Sequence, residues 1–321
     1  MVSPVCMKLF CVNFLLQPMS TDTFSKTCGH RNSPSERMCA ISITSVSRSF
    51  AAYILSLIHI LFIGLGSMLY NIQAAVSNFE FVLNFSSLIF VVIVPILTMR
   101  VIAEERKQKT DQLLYALPIS TVQVIVGKYL ALLILFLIPL AIISIYPLIF
   151  SQFGDVYLLT AYGSLLAFFI MGAALIALGM FISSLTDNQG LAAGIGIAVI
   201  LFNYYSVSLS EYVSSTAMGT VVALLVLILI LAAIIRFLTK NDSLAYGIGL
   251  VLVVATLAMY LVNSTVFEGL LPEIMKALSL FDRFTTFVNG VFDMTAIVYY
   301  CSVIAFFLFL SVQSLEKRRY N

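Results

Sequence analysis

Tryptophan is absent, and charge is scarce: Asp, Glu, Lys and Arg together make up 10% of the 321 residues, with only two histidines. So little charge cannot cover a soluble surface, which excludes a water-soluble enzyme or a nucleic-acid-binding domain. Catalytic signatures are missing as well. The one Gly-Lys pair, Gly127–Lys128, has Val122 where a phosphate loop needs its first glycine. No H-E-x-x-H metal helix and no G-x-S-x-G elbow occurs.

What remains is mostly oil. Hydrophobic residues form 61% of the chain. Apolar runs long enough to cross a bilayer as helices recur at 50–70, 82–99, 122–150, 157–183, 190–209, 218–237, 244–262 and 296–314. These eight runs hold no Asp or Glu, and their basic residues, Lys128 and Arg236, act as boundary residues. The pattern predicts an all-α, polytopic membrane protein, because in lipid a helix satisfies its own backbone. The alternation of a membrane β-barrel is absent.

Charge placement predicts the orientation. An even number of spans puts both termini on one side. If that side is the cytoplasm, the inner segments and the two boundary lysine and arginine positions hold fifteen of the seventeen basic residues, leaving only Lys276 and Arg283 outside. Cys6, Cys11, Cys28 and Cys39 then lie in a reducing compartment, and Cys301 lies in the last span, so disulfides are not expected. The spacing of Cys6, Cys11, Cys28 and His30 matches no standard zinc pattern, and no metal site is expected. Residues 1–37 are polar and read as a disordered or non-native extension.

His59 is the only histidine within a span. Such a group is a functional candidate by default, but a neutral imidazole hydrogen-bonded to a neighbouring helix is the expected role. Carboxylate relays of the kind proton-coupled pumps use are missing from the spans, so energy for uphill transport must enter elsewhere.

The densest charge lies in "MRVIAEERKQKTDQLLYALPIST", residues 99–121, with seven charged residues between Arg100 and Asp111. Glu105 and Lys109 stand at i,i+4 in the favourable order, Ile102, Leu113, Leu114 and Leu117 supply an apolar face, and Pro118 ends the segment. Ser120 or Thr121 then caps the following span. The residues alone are equally consistent with a helix that docks a partner and with one that anchors a loop to the membrane surface.

"TMRVIAEERKQKTDQLLYALPISTVQVIVGKYLA" resembles the first cytoplasmic loop of type-2 ABC exporter permeases, nearest the gliding-motility and copper-enzyme-maturation branch. The matching positions are Met99, Arg100, Ala103, Glu104, Glu105, Thr110, Leu113, Leu114, Pro118, Ser120, Gly127 and Lys128, whereas Lys109 stands where glycine is common. "SSLTDNQGLAAG" (183–194) resembles the family's second inner loop, and residues 279–320 resemble its C-terminal signature. The branch commonly has six spans, so 218–262 looks like an insertion of two.

The resemblance implies a transmembrane domain over 38–321, with 100–117 as a coupling helix docked on a separate ABC ATPase through Arg100, Glu104, Glu105, Arg106, Lys107, Lys109 and Thr110. Thr186, Asp187, Asn188 and Gln189 would form the second inner contact. The outer segment 263–295 carries Asp282, Arg283 and Asp293 as gate candidates, on either a re-entrant or a surface helix. ATP and magnesium would sit on the partner, with no cofactor and no catalytic residue on this chain. A second permease, identical or homologous, would complete a dimer in the bacterial inner membrane. The alternative is an assembly protein that uses the ATPase for mechanical work on envelope machinery. An intramembrane hydrolase built on His59 lacks a paired nucleophile.

Overall fold

The computed structural model describes residues 50–74, 76, 78–104, 120–213, 216–239 and 242–319. Among these residues there are helices and short connections but no strand. Helix α1 (Phe50–Ser67) continues into a π-helical turn, Met68–Gln73. Helices α2 (Glu80–Ser87) and α3 (Phe90–Met99) form one path bent by 56°. A second π-helical turn, Arg100–Glu104, extends α3. Then follow α4 (Thr121–Ile143), α5 (Tyr146–Phe150), α6 (Leu158–Leu185), α7 (Gln189–Tyr212), α8 (Ala217–Thr239) and α9 (Asp242–Val262). A 3-10 turn, Ser264–Phe267, leads to α10 (Leu270–Leu278), α11 (Leu280–Val288) and α12 (Met294–Arg319).

Helix thus occupies all eight apolar runs. Among the described residues, five helices are long and apolar enough to cross a membrane, and counting each sharply bent pair as one span raises the number to at most seven. Helix α8 does not reach that length among the described residues, where it counts as the shorter apolar stretch Ala217–Leu229.

Helix ends are set by polar side chains. Ser120, not Thr121, starts α4: its Oγ accepts from the Gln123 N–H at 3.4 Å, and Gln123 Oε1 accepts from the Ser120 N–H at 3.3 Å. This reciprocal pair satisfies two backbone donors that the helix itself leaves open. Asn188 does the same for α7, with Oδ1 accepting from Gly190 and Leu191.

The core is centred on α6. Residues Ala167, Phe168, Met171, Ala174, Leu175, Ile176, Ala177 and Met180 are buried around its whole circumference. A helix apolar on all sides belongs inside a bundle, and α3, α4, α7, α11 and α12 surround this one. Helix α6 approaches its neighbours through glycine. A Cβ at Gly172 would lie 2.6 Å from the ring of Phe136, and one at Gly179 would lie 2.5 Å from Thr98 Oγ1. Without water to drive apolar helices together, such close approach supplies the van der Waals contact. Helices α8 and α9 pair with each other, and none of their described side chains belongs to the buried core cluster.

His59 departs from expectation. It is buried, 2% exposed, and neither ring nitrogen has a hydrogen-bond partner among the described residues. The rings of Phe90, Phe136 and Phe168 surround it, with centroids 5.6, 5.9 and 5.8 Å away. The imidazole fills an aromatic slot where four helices meet, because no polar group on them reaches it. An unpaired buried polar group costs about 1–3 kcal/mol, whereas an apolar isostere does not. His59→Phe is therefore expected to raise the midpoint of thermal unfolding in detergent, and His59→Ala to lower it by opening a cavity. A lower midpoint for His59→Phe would mean that the nitrogens have a native partner.

Candidate functional site

Two junctions, at opposite ends of the bundle, gather the polar side chains. Helix direction defines the ends. Arg100, Thr121, Leu185, Gln189 and the end of α12 lie at one, called here the charged end. Gln73, Leu158, Tyr212 and Met294 lie at the other, the far end. Asp155, Glu211 and Glu268 fall at the far end and Asp187 at the charged end, each grouped as the charge pattern predicts. Phe50 and Arg319 share the charged end.

At the charged end the chain does not leave the bundle when α3 finishes. Arg100 is exposed, but Val101, Ile102 and Ala103 turn back inside, at 6%, 3% and 0% exposure. Lys128 Nζ donates to the Val101 carbonyl at 3.2 Å, and the Ala103 N–H donates to Ser183 Oγ at 3.1 Å. Ser314 Oγ on α12 donates to the Ser184 carbonyl at 3.0 Å. The sequence blocks 99–128 and 183–194 and the C-terminal part of 279–320 therefore meet at this end, joined by side chain to backbone bonds. Lys128 is itself a buried residue of α4, at 6% exposure, rather than a solvated boundary group.

Of the residues assigned to docking, Arg100 is the exposed start of this turn, and Glu104 is its last residue. Glu105, Arg106, Lys107, Lys109 and Thr110, with the rest of 105–119, lie outside the described residues. In the second loop, two of the four assigned side chains have structural tasks. Thr186 Oγ1 accepts from the Asn188 N–H, and Asn188 caps α7. Asp187 is exposed between them, and Gln189 opens the helix.

At the far end the segment after α9 enters the bundle. Gly269, at φ +74°, turns the chain into α10, and Gly290, at φ +80°, turns it out of α11. Both positions need the left-handed backbone that glycine adopts without strain. Leu280, Phe281, Phe284, Phe287 and Val288 of α11 are buried. Phe284 meets Phe168 at 5.7 Å, Ser164 Oγ donates to the Phe287 carbonyl at 3.0 Å, and Gly290 stands beside Thr160. Phe168 lies ten residues into α6, about 15 Å from its end. The segment therefore packs its α11 side chains into the far end of the bundle, against α6.

The break between α10 and α11, at Ser279, is held by residues that no motif marked. Asn203 of α7 donates from Nδ2 to the Leu278 carbonyl at 3.1 Å and accepts at Oδ1 from the Leu280 N–H at 3.0 Å. Tyr299 donates to the Leu278 carbonyl at 3.0 Å, and Tyr300 to the Leu280 carbonyl at 2.6 Å. One signal did exist in the sequence: Asn203 is one of only two asparagines inside the apolar runs, the other being Asn84.

The gate candidates scatter around this break. Arg283 lies over the Tyr299 ring, 4.1 Å from its centroid, and donates to the Ala277 carbonyl at 3.3 Å. Asp282 is the third residue of α11, with its N–H bonded to Ser279 Oγ. Asp293 caps α12 through the Thr295 N–H, and hydrogen bonds from Thr295 hold its carboxyl below the usual aspartate range. Glu80 lies just before the run 82–99. It opens α2 at 2% exposure, with Oε2 unpartnered among the described residues, so the bundle does enclose a carboxylate. No cluster of potential metal ligands occurs among the described residues.

A bundle of long apolar helices around a largely buried one, with a short helix pair packed into one end, defines a multi-pass membrane protein. The chain belongs to the ABC-2 family transporter proteins: the family model matches residues 44–210, just over half of the chain. It is accordingly a permease subunit of an ABC transporter, the transmembrane partner of an ABC ATPase. The matched region runs from before α1 to near the end of α7 and includes the whole charged-end turn, while α8 to α12 lie beyond it. No curated protein matches the chain.

Proposed function

We propose that this permease couples ATP hydrolysis on a separate ATPase subunit to export, with the loop after α3 as the coupling element. The observation that carries this reading is the buried root of that loop. Val101 and Ala103 are bonded to α4 and α6 by Lys128 and Ser183, so displacing the loop must displace the central helices. A surface anchor needs no such root; a force-transmitting one does. The π-helical turn at the root fits, since such turns concentrate at functional sites.

In this reading all eight apolar runs span the bacterial inner membrane, with the charged end facing the cytoplasm. The transporter holds two permease chains, identical or homologous, and two ATPase chains. The re-entrant α10–α11 pair stands at the exit, and the branch is that of the gliding-motility and copper-enzyme-maturation permeases. ATP and magnesium sit on the ATPase.

Sidedness is testable directly. Single cysteines at Lys107, Asp187 and Lys240 are expected to resist an impermeant thiol reagent in spheroplasts, and those at Asp155, Glu211 and Glu268 to react. Labelling at position 107 before lysis would reverse the orientation. Coupling is tested by purifying the permease with the ABC ATPase in nanodiscs. The expected result is ATP hydrolysis that depends on the permease, and its absence would remove the proposal.

A further inference from the structure

We propose that Asn203, Tyr299 and Tyr300 form a latch that keeps the elbow between α10 and α11 closed inside the bundle, and that opening the far end requires this latch to release. The consequence for a permeation route rests on the permease reading; the latch itself rests on geometry.

Two short helices meeting at one residue leave backbone groups without helical partners. Here those groups are the Leu278 carbonyl, which ends α10, and the Leu280 N–H, which starts α11. The Asn203 amide answers both at once, donor to one and acceptor to the other. Tyr299 adds a second donor to the Leu278 carbonyl, and Tyr300 binds the Leu280 carbonyl. Ser279, fully buried, caps Asp282 and also reaches the Asn203 carbonyl, at 3.4 Å. The polar ties from other helices to the break itself thus come from α7 and α12, and α6 adds one bond at the end of α11, from Ser164 to the Phe287 carbonyl. The remaining hold is apolar, through Phe281 on Tyr204 and Phe284 on Phe168, and apolar contact permits sliding.

Depth makes the ties decisive. Asn203, half-buried, lies nine residues from the end of α7, about 14 Å along the helix from the far end, and Tyr300, fully buried, lies six residues into α12, about 9 Å from that end. Backbone groups at such depth must be bonded to protein or met by water. The elbow therefore has two acceptable states, latched and dry or released and wet. Intermediate positions strand polar groups. Arg283, stacked on the Tyr299 ring, holds one latch residue from the outer side.

The test uses the full chain in nanodiscs, with its five cysteines replaced by alanine and single probes introduced as Ser279→Cys or, for the core of α6, Ala174→Cys. A membrane-impermeant maleimide reports water access to each position. Both positions are expected to be protected in the parent. Asn203→Leu, which has similar bulk and no amide, is expected to raise labelling at position 279 about tenfold, the factor given by ~1.4 kcal/mol, while position 174 stays protected. Tyr300→Phe, which keeps the ring and loses only the hydroxyl, is expected to change labelling in the same direction. If Asn203→Leu also exposes position 174, the decision passes to Tyr300→Phe alone. Unchanged labelling at position 279 in Tyr300→Phe and in a folded Asn203→Leu overturns the latch. Co-purification of the ABC ATPase with the parent chain tests the permease reading separately, so either idea can fail alone.

Discussion

Gly179→Ala is expected to destabilise the bundle, and Thr98→Ala on the same chain to restore much of the loss. A methyl group at position 179 would lie 2.5 Å from Thr98 Oγ1, 3.0 Å from its Cγ2 and 3.1 Å from its Cβ. Rotating Thr98 does not help. Both branches face the glycine, so turning about χ1 exchanges one clash for another, and the present rotamer is tied by the Oγ1 bond to the Val94 carbonyl at 2.9 Å. Alanine gains up to about 1 kcal/mol over glycine as a helix former. Overpacking a filled core costs typically 1–3 kcal/mol, and separations this short belong in the upper part of that range. The clash therefore wins, with a net loss of about 1–2 kcal/mol. Removing Oγ1 and Cγ2 takes away the two nearest atoms. In a double-mutant cycle read from reversible unfolding in detergent, the two changes should show a coupling of about 1 kcal/mol or more. Effects that add to within ~0.5 kcal/mol would mean that α3 and α6 are not in this contact.

Reversing both Glu104 and Glu105 to Lys is expected to cut recovery of the ATPase with the permease at least tenfold while leaving membrane insertion intact. Like charges set against each other across an interface cost several kcal/mol, and ~1.4 kcal/mol already accounts for a factor of ten. Insertion should survive, because the change lies outside every apolar run and adds positive charge to the charged end. The buried root should survive too, since Val101, Ala103, Lys128 and Ser183 are untouched. A loop that only anchors to lipid predicts the opposite, because added lysine strengthens binding to anionic headgroups. Equal ATPase recovery, with equal permease-dependent hydrolysis at matched expression, would withdraw the docking role from this loop.

The root also narrows where docking can happen. The resemblance implied a single coupling helix over 100–117. The structure spends Val101 to Ala103 on packing against α6 and α7, which removes these three residues from the docking surface of the proposed coupling loop and leaves Arg100 exposed beside them. Nothing local distinguishes the two portions: Val101, Ile102 and Ala103 would suit a lipid-facing stripe as well as a core.

His59, Glu80 and Asn203 show the same division. Each is a polar residue in or beside an apolar run, and each is visible in the sequence as an exception. Their fates differ because their neighbours differ. His59 meets phenylalanine rings, Glu80 keeps one oxygen unpaired among the described residues, and Asn203 finds two backbone groups left open by a helix break. No rule of spacing predicts which, since the partner of Asn203 is 75 residues away.

The positions of the apolar helices and the grouping of charges at one end could be read from the chain alone, because transfer of an apolar helix into lipid and retention of lysine and arginine on one side depend on composition within a segment. The tertiary structure alone decided that α6 is the axis, that α8 and α9 stand apart from the core, that the charged loop has a buried root, and that α10 and α11 enter the bundle. Each of these depends on which surfaces meet, where glycine permits close approach, and whether a buried hydrogen-bonding group finds its complement on another helix. A one-dimensional pattern carries the cost of burying a group; only the packed molecule contains the partner that offsets it.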